Sequence, residues 1–217
     1  TGIPYWDLAE SQAAGYPKYY NSIMASGNES DGLYKKQRLV PFGEYIPLSG
    51  WLSWVLPGLQ NDPSMSGFTR GADHQKPLNV KNHPLGSAIC YEVAYPNLTR
   101  RNASQSDFLV TVSNDAWFTG TAGPLQHLQM VQMRAKENGR WFIRATNTGV
   151  TAFIDHNGHI VKKAPVDQEA VLRGELPAMQ GETLYMKLSD WPVMIFSVLL
   201  LLIGWRFRSR KVDVSFK

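Results

Sequence analysis

The chain has 217 residues, of which 43% are hydrophobic and 18% charged, with a formal net charge of +4. That length suits one substantial globular domain with a short appendage, and the apolar fraction is enough for a core. Much of the positive excess sits in the tail, at Arg206, Arg208, Arg210, Lys211 and Lys217, so the rest is near neutral and nothing in it points to a nucleic-acid partner.

The sequence opens on Thr1-Gly2-Ile3, inside or just before a strand, and reads as part of a longer protein. Residues 34–45, Tyr34-Lys35-Lys36-Gln37-Arg38-Leu39-Val40-Pro41-Phe42-Gly43-Glu44-Tyr45, read as a charged strand running into a Pro-Gly turn. The next apolar segment, Trp51-Leu52-Ser53-Trp54-Val55-Leu56-Pro57-Gly58-Leu59, is too short to span a bilayer. It is either a helix packed on the core or a loop dipping into a membrane interface. Strand-like runs follow at 76–80 and 85–89, the second delivering Cys90, the single cysteine of the chain.

A helix is expected over 95–103, opening at Pro96. A buried strand is expected over 108–112, followed directly by Ser113-Asn114-Asp115-Ala116-Trp117-Phe118. The clearest helix is 124–141, with an apolar stripe of Leu125, Leu128, Met130, Val131, Met133 and Ala135 and with Gly139 near its end. Residues 148–154 and 159–163 read as a hairpin around Asn157-Gly158, and 170–176 as another strand. Strands alternating with helices indicate an α/β domain.

From Trp191 to Trp205 the sequence carries no charge. Asp190 and Pro192 favour a helix start there. Fifteen residues of helix rise about 23 Å, short of a ~30 Å hydrocarbon core, so length alone fits a buried helix as well. The flanks favour a membrane span: Tyr185, Trp191 and Trp205 stand where interfacial aromatics anchor, and Arg206 opens a cationic cluster. The expected organisation is a globular domain over 1–185 and a transmembrane helix with a basic cytoplasmic tail over 186–217, the domain lying on the opposite side. In an oxidising compartment an unpaired cysteine is unusual, which marks Cys90 as a candidate nucleophile.

The histidines show no metal-ligand spacing, one cysteine is too few for structural zinc, and there is no glycine-rich phosphate loop, so neither metal nor cofactor is expected. His127 and His156 could serve Cys90 as a base, although a helix histidine and a turn histidine are ordinarily packing or surface residues.

Three segments together carry a specific resemblance: Tyr34-x-Lys36-x-x-Leu39-Val40-Pro41-Phe42-Gly43-Glu44, Ile89-Cys90-Tyr91-Glu92 and Ser113-Asn114-Asp115-Ala116-Trp117-Phe118. In this order and spacing they resemble the nitrilase superfamily of carbon–nitrogen hydrolases, and among its branches the apolipoprotein N-acyltransferases of the bacterial inner membrane. Gly123-Pro124-Leu125-Gln126-His127 and Arg144-Ala145-Thr146-Asn147-Thr148-Gly149 match as well. The resemblance implies an α-β-β-α sandwich on the periplasmic side and a Glu-Lys-Cys triad. Cys90 matches the nucleophile, Lys36 the triad lysine and Glu44 an auxiliary carboxylate; Tyr91 and Glu92 match a pair implicated in the same site. The triad glutamate would lie upstream of residue 1.

The roles follow from ordinary chemistry. An ammonium beside a thiol favours the thiolate, and Lys36 with the Tyr91 backbone N–H would face the oxyanion formed on attack at a carbonyl. The upstream glutamate would move the proton, with Trp117 and the turn at 41–45 walling the pocket. The implied reaction takes an acyl chain from a phospholipid donor, through a thioester on Cys90, to the N-terminal amine of a diacylglyceryl-cysteine lipoprotein. The membrane is the implied partner surface and a monomer the implied state. Two other readings stay open: an amidase or nitrilase acting on small amides, and a non-catalytic membrane-anchored binding domain.

Overall fold

A computed structural model describes residues 2–48, 67–166 and 168–208. The segment 51–59 lies outside the described residues, as does the end of the basic tail.

Two sheets face each other. The smaller has the order β1-β2-β4 and is antiparallel throughout, from β1 (Gly2–Trp6), β2 (Tyr19–Met24) and β4 (Leu33–Lys35). Between β1 and β2 runs α1 (Leu8–Ala14), started by Asp7, whose side chain accepts the Glu10 N–H, and ended by Gly15 at φ 77°. Successive strand side chains point to opposite faces. Tyr34 and Ile23 therefore face the second sheet, while Tyr20 and Lys35 face α1 and its Glu10.

The larger sheet adds β3 (Ser30–Asp31), β5 (Leu78–Val80), β6 (His83–Ile89), β7 (Phe108–Ser113), β8 (Trp141–Thr146), β9 (Ala152–Ile154) and β10 (Ile160–Lys163). Its order is β10-β9-β8-β7-β6-β5-β3. The central strands β6, β7 and β8 are parallel, which requires a crossover between each pair. Those crossovers are α2 (Pro96–Ala103) and α3 (Gly123–Asn138).

The alternation along β6 and β7 divides the core. Ala88 and Leu109 face α2 and α3, where they join Leu98, Val131, Phe142 and Ile154; Ile89 and Val110 face Ile23, Tyr34 and Leu78 of the other interface. The layers thus run helix, sheet, sheet, helix, in agreement with the expected α/β sandwich.

Two expectations need correction. The helix expected to reach residue 141 stops at Asn138, because Gly139 takes a left-handed φ of 57° and caps it; Trp141 instead begins β8, an inner strand. No strand forms over 170–176. A strand needs a partner for its backbone groups, and the sheet already ends at β10.

Packing continues through α4 (Leu184–Leu188): Met186 is buried with the helix-side core, and Arg100 donates to its carbonyl at 2.9 Å. Beyond it stands α5 (Trp191–Arg208), whose large apolar side chains are exposed on all sides. Among the described residues no helix is long and apolar enough to cross a membrane. Its charge-free run, 191–205, rises about 23 Å against a ~30 Å hydrocarbon core, so the transmembrane helix expected over 186–217 is not established by this helix alone.

The approach of α2 to β6 depends on Gly86. A Cβ there would lie 2.8 Å from the Asn102 carbonyl oxygen, Leu109 Cδ2 and Ser106 Oγ. Gly86→Ala is expected to destabilise the fold by about 1–3 kcal/mol, read as a lower urea midpoint; an unchanged midpoint would show that α2 can give way.

Candidate active site

Parallel strands end on one edge of a sheet, and the turns leaving that edge form a cleft. Here β6 releases Cys90, β7 releases Asn114 and β8 releases Asn147, all three on the wall of one cavity of about 930 Å³. Lys36 and Glu44 enter it from the other sheet, and Trp117 and Tyr91 complete the rim.

Cys90 opens a 3-10 turn (Cys90–Ala94) with φ 50°, in the left-handed region. For a residue with a Cβ this costs about 1–2 kcal/mol, so its surroundings must hold it. On one side the N–H of Ile89 donates to Glu92 Oε2 at 2.7 Å; on the other, the Cys90 carbonyl accepts from His127 Nε2 at 3.0 Å.

Adjacent lysines take opposite faces of the small sheet. Lys35 turns outward to Asp7 at 2.7 Å and Glu10 at 2.8 Å. Lys36, only 1% exposed, turns inward and bonds Glu44 through both carboxylate oxygens, at 2.8 and 2.7 Å. Glu44 is also fixed by Asn21 Nδ2 at 2.9 Å and the Val40 N–H at 2.8 Å. Its lone pairs are thus occupied, and its work is to hold the Lys36 ammonium at the cavity wall.

The structure brings Cys90, Lys36, Glu44 and Tyr91 to the cavity but places Glu92 behind it. Glu92 is fully buried and accepts from the N–H groups of Gln37 at 2.6 Å, Arg38 at 3.0 Å and Ile89 at 2.7 Å, and from the Tyr34 hydroxyl at 3.1 Å. Burial raises its carboxyl above the ordinary range, although those N–H groups and the Lys36 charge pull it back. Glu92 is therefore a brace rather than a group that can meet a substrate.

A second buried group escaped the sequence reading. Asp115 accepts from Ser113 Oγ at 2.5 Å, from His127 Nδ1 at 2.9 Å and from Arg144 Nη2 at 2.5 Å. Arg144 also donates to the Val150 carbonyl at 3.0 Å. Burial raises the Asp115 carboxyl, but the hydrogen bonds from His127 and Ser113 and the Arg144 charge outweigh it and hold it below 3.8. Gly149, at φ 99°, passes so close that a Cβ would sit 2.6 Å from Asp115 Oδ2. The family-like stretches around His127 and residues 144–149 were the available signal, but nothing in their spacing joined them to Asp115.

Donor atoms of Cys90, Asp115 and His127 lie within 4.8 Å of one another, a set that could hold a metal ion by distance alone. The chemistry disfavours it: both Asp115 oxygens and both His127 nitrogens already have partners, and the Arg144 cation faces the same carboxylate.

The profile of the carbon–nitrogen hydrolase family matches residues 2–184. The chain belongs to that family. Solved structures of similar fold include the NitFhit protein of C. elegans, at TM-score 0.53 and 19% identity over 76% of this chain and 38% of that one. Another is a carbon–nitrogen hydrolase from Helicobacter pylori, at TM-score 0.54 and 18% identity over 77% and 57%. In sequence the chain is similar to the apolipoprotein N-acyltransferase of Azotobacter vinelandii, 47% identical over 213 residues, covering 98% of this chain and 40% of that protein. The protein of the same name from Vibrio vulnificus is 41% identical over 205 residues, covering 90% and 40%. The chain thus spans about two fifths of the length of these relatives.

Two outcomes test this family site. Glu92→Ala would strand four buried donors and is expected to destabilise the fold by at least ~3 kcal/mol, with Glu92→Gln intermediate, measured by urea denaturation. Asp115, with its carboxyl held below 3.8, contributes stability that is complete above that pH and is lost as pH falls through its folded value. Urea midpoints of Asp115→Asn should therefore lie below those of the unsubstituted protein at neutral pH, and the gap should narrow only below pH 3.8.

Proposed function

We propose that this chain is the catalytic part of a lipoprotein N-acyltransferase that works through a thioester on Cys90. The observation that carries the reading is the meeting of Cys90 with the Lys36–Glu44 pair in a cavity whose surface is mostly apolar, with Val40, Phe68, Val112, Phe118 and Met130 lining it beside polar residues such as Gln126 and Asn147. A small amide needs no such walls, whereas an acyl chain does. The 47% identity to the Azotobacter protein supports the same substrate class.

In the proposed first half-reaction the Cys90 thiolate attacks the ester carbonyl of a phospholipid. The oxyanion that forms faces the Lys36 ammonium and the N–H of Tyr91 in the first turn of the 3-10 segment. Collapse breaks the ester C–O bond, and the lysophospholipid leaves with a proton from the general acid. In the second half the acceptor's α-amine attacks the thioester, loses a proton to the same group acting as base, and leaves as the amide while Cys90 regains its thiol form. Glu44 is fully engaged, so the acid–base role falls to the upstream glutamate that the family resemblance implies.

Both substrates reside in a bilayer, and the exposed apolar surface of α5 suits one. We place α5 in the membrane, with Trp191 and Trp205 at the interfaces and Arg206 and the residues after it on the cytoplasmic side. The domain then lies at the periplasmic face of the bacterial inner membrane.

Incubating the full-length protein with labelled phospholipid should leave one acyl group on the peptide containing Cys90, detected by mass spectrometry. Cys90→Ala should carry none, and Lys36→Ala should acylate at least ~100-fold more slowly. Release of ammonia from small amides without acylation of Cys90 would instead assign an amidase, and phospholipid binding with neither reaction would assign a binding domain.

A further inference from the structure

His127 sits on α3 facing Cys90, and both of its ring nitrogens meet acceptors. Nδ1 lies 2.9 Å from Asp115 Oδ1, and Nε2 lies 3.0 Å from the Cys90 carbonyl oxygen. A neutral imidazole has one donor and one lone pair, so in either tautomer one nitrogen would point its lone pair at an oxygen. Only the doubly protonated ring satisfies both contacts. Arg144 Nη2, which bonds Asp115 at 2.5 Å, has a second N–H within 3.4 Å of Nδ1, but a lone pair there would also face Asp115 Oδ1 at 2.9 Å, a contact that only an N–H makes favourable.

We propose that His127 is a positioning residue that works as an imidazolium, pinning the left-handed Cys90 backbone through its carbonyl and setting a second positive charge beside the thiolate. Asp115 and Arg144 cancel each other, so the buried group carries one net positive charge, with donor atoms within 4.8 Å of the sulfur. The other groups around Cys90 do not supply this charge. From the small sheet and its following turn come Lys36 and Glu44, which neutralise each other; from the 3-10 turn come Tyr91, uncharged, and Glu92, behind the Ile89 N–H. The Arg144 guanidinium is pulled down by burial but held up by Asp115 and by the charge of Cys90, so the sulfur is electrostatically coupled to this group. His127 is therefore not a base for Cys90, since it has no free lone pair to receive a proton.

The inference rests on Cys90 as the nucleophile, but its test does not need acyl transfer. Alkylation of the full-length protein by iodoacetamide across pH reads the thiolate directly. His127→Gln can still donate to the Cys90 carbonyl but brings no charge. Its alkylation midpoint should rise by about one pH unit, giving roughly tenfold slower alkylation at neutral pH. A merely structural role would scale the rate at every pH without moving the midpoint, and that result, or an unchanged profile, overturns the proposal. Because the variant could fail to fold, a second measurement uses the unsubstituted protein labelled with ¹⁵N-histidine in slightly alkaline buffer. One imidazole with both nitrogens protonated is expected; spectra in which every ring is a neutral tautomer overturn the proposal whatever the variant does. Absence of acyl transfer by the unsubstituted protein, with the midpoint of His127→Gln shifted as expected, would count against the acyltransferase reading alone.

Discussion

The carboxylate of Glu92 joins the two sheets. Through Gln37, Arg38 and Tyr34 it holds the end of β4 and the residues that follow; through Ile89 it holds the last residue of β6. Lys36 lies between the bonded Tyr34 of β4 and Gln37 just beyond it, and Cys90 directly follows the bonded Ile89 of β6. The separation of ammonium and thiol is thus set by one buried side chain whose acceptor oxygens are fully used. A buried carboxylate is expensive unless such donors meet it, which explains why four converge on one group.

That brace also bears on backbone strain. A left-handed cysteine is unfavourable in isolation, yet it turns the chain out of the sheet at the edge where the parallel strands end. Glu92 holds the peptide before Cys90, and His127 holds the carbonyl after it. The conformation is therefore over-determined from two elements, the 3-10 turn and α3, that are packed into the same core.

The sequence made part of this visible, and the boundary has physical causes. Continuous apolar runs such as residues 85–89 and 108–112 announce buried strands, and Pro96 announces a helix start, because each is a local signal. The strand at Trp141–Thr146 was hidden because its first residues continue the apolar periodicity of α3; the break depends on the left-handed φ of Gly139. The meeting of Cys90, Lys36 and Glu44 at one cavity was legible because their motifs carry them together. Glu92 could be named from its motif but not assigned its work, since three of its four partners lie 54, 55 and 58 residues away in the chain. The pairing of Asp115 with His127 and Arg144 spans 12 and 29 residues and depends on three parallel strands and a crossover helix meeting, so no local pattern could contain it.

The placement of charge explains why the rest of the cavity can be apolar. Lys36 and Glu44 form one pair, Arg144 and Asp115 another, and both are anchored to backbone or to neighbouring side chains rather than to solvent. Fixed dipoles and ions of this kind need no reorganisation when charge develops on a substrate, and an apolar chain filling the remaining space would exclude the water that otherwise screens them. The polar groups occupy the edge where the strands end, and Phe68, Phe118, Val112 and Met130 occupy the other walls. On the proposed reading, an acyl chain lying on those walls would bring its carbonyl carbon to Cys90 and exclude water from the same volume, so binding the chain and strengthening the field around the reacting atoms would be one event.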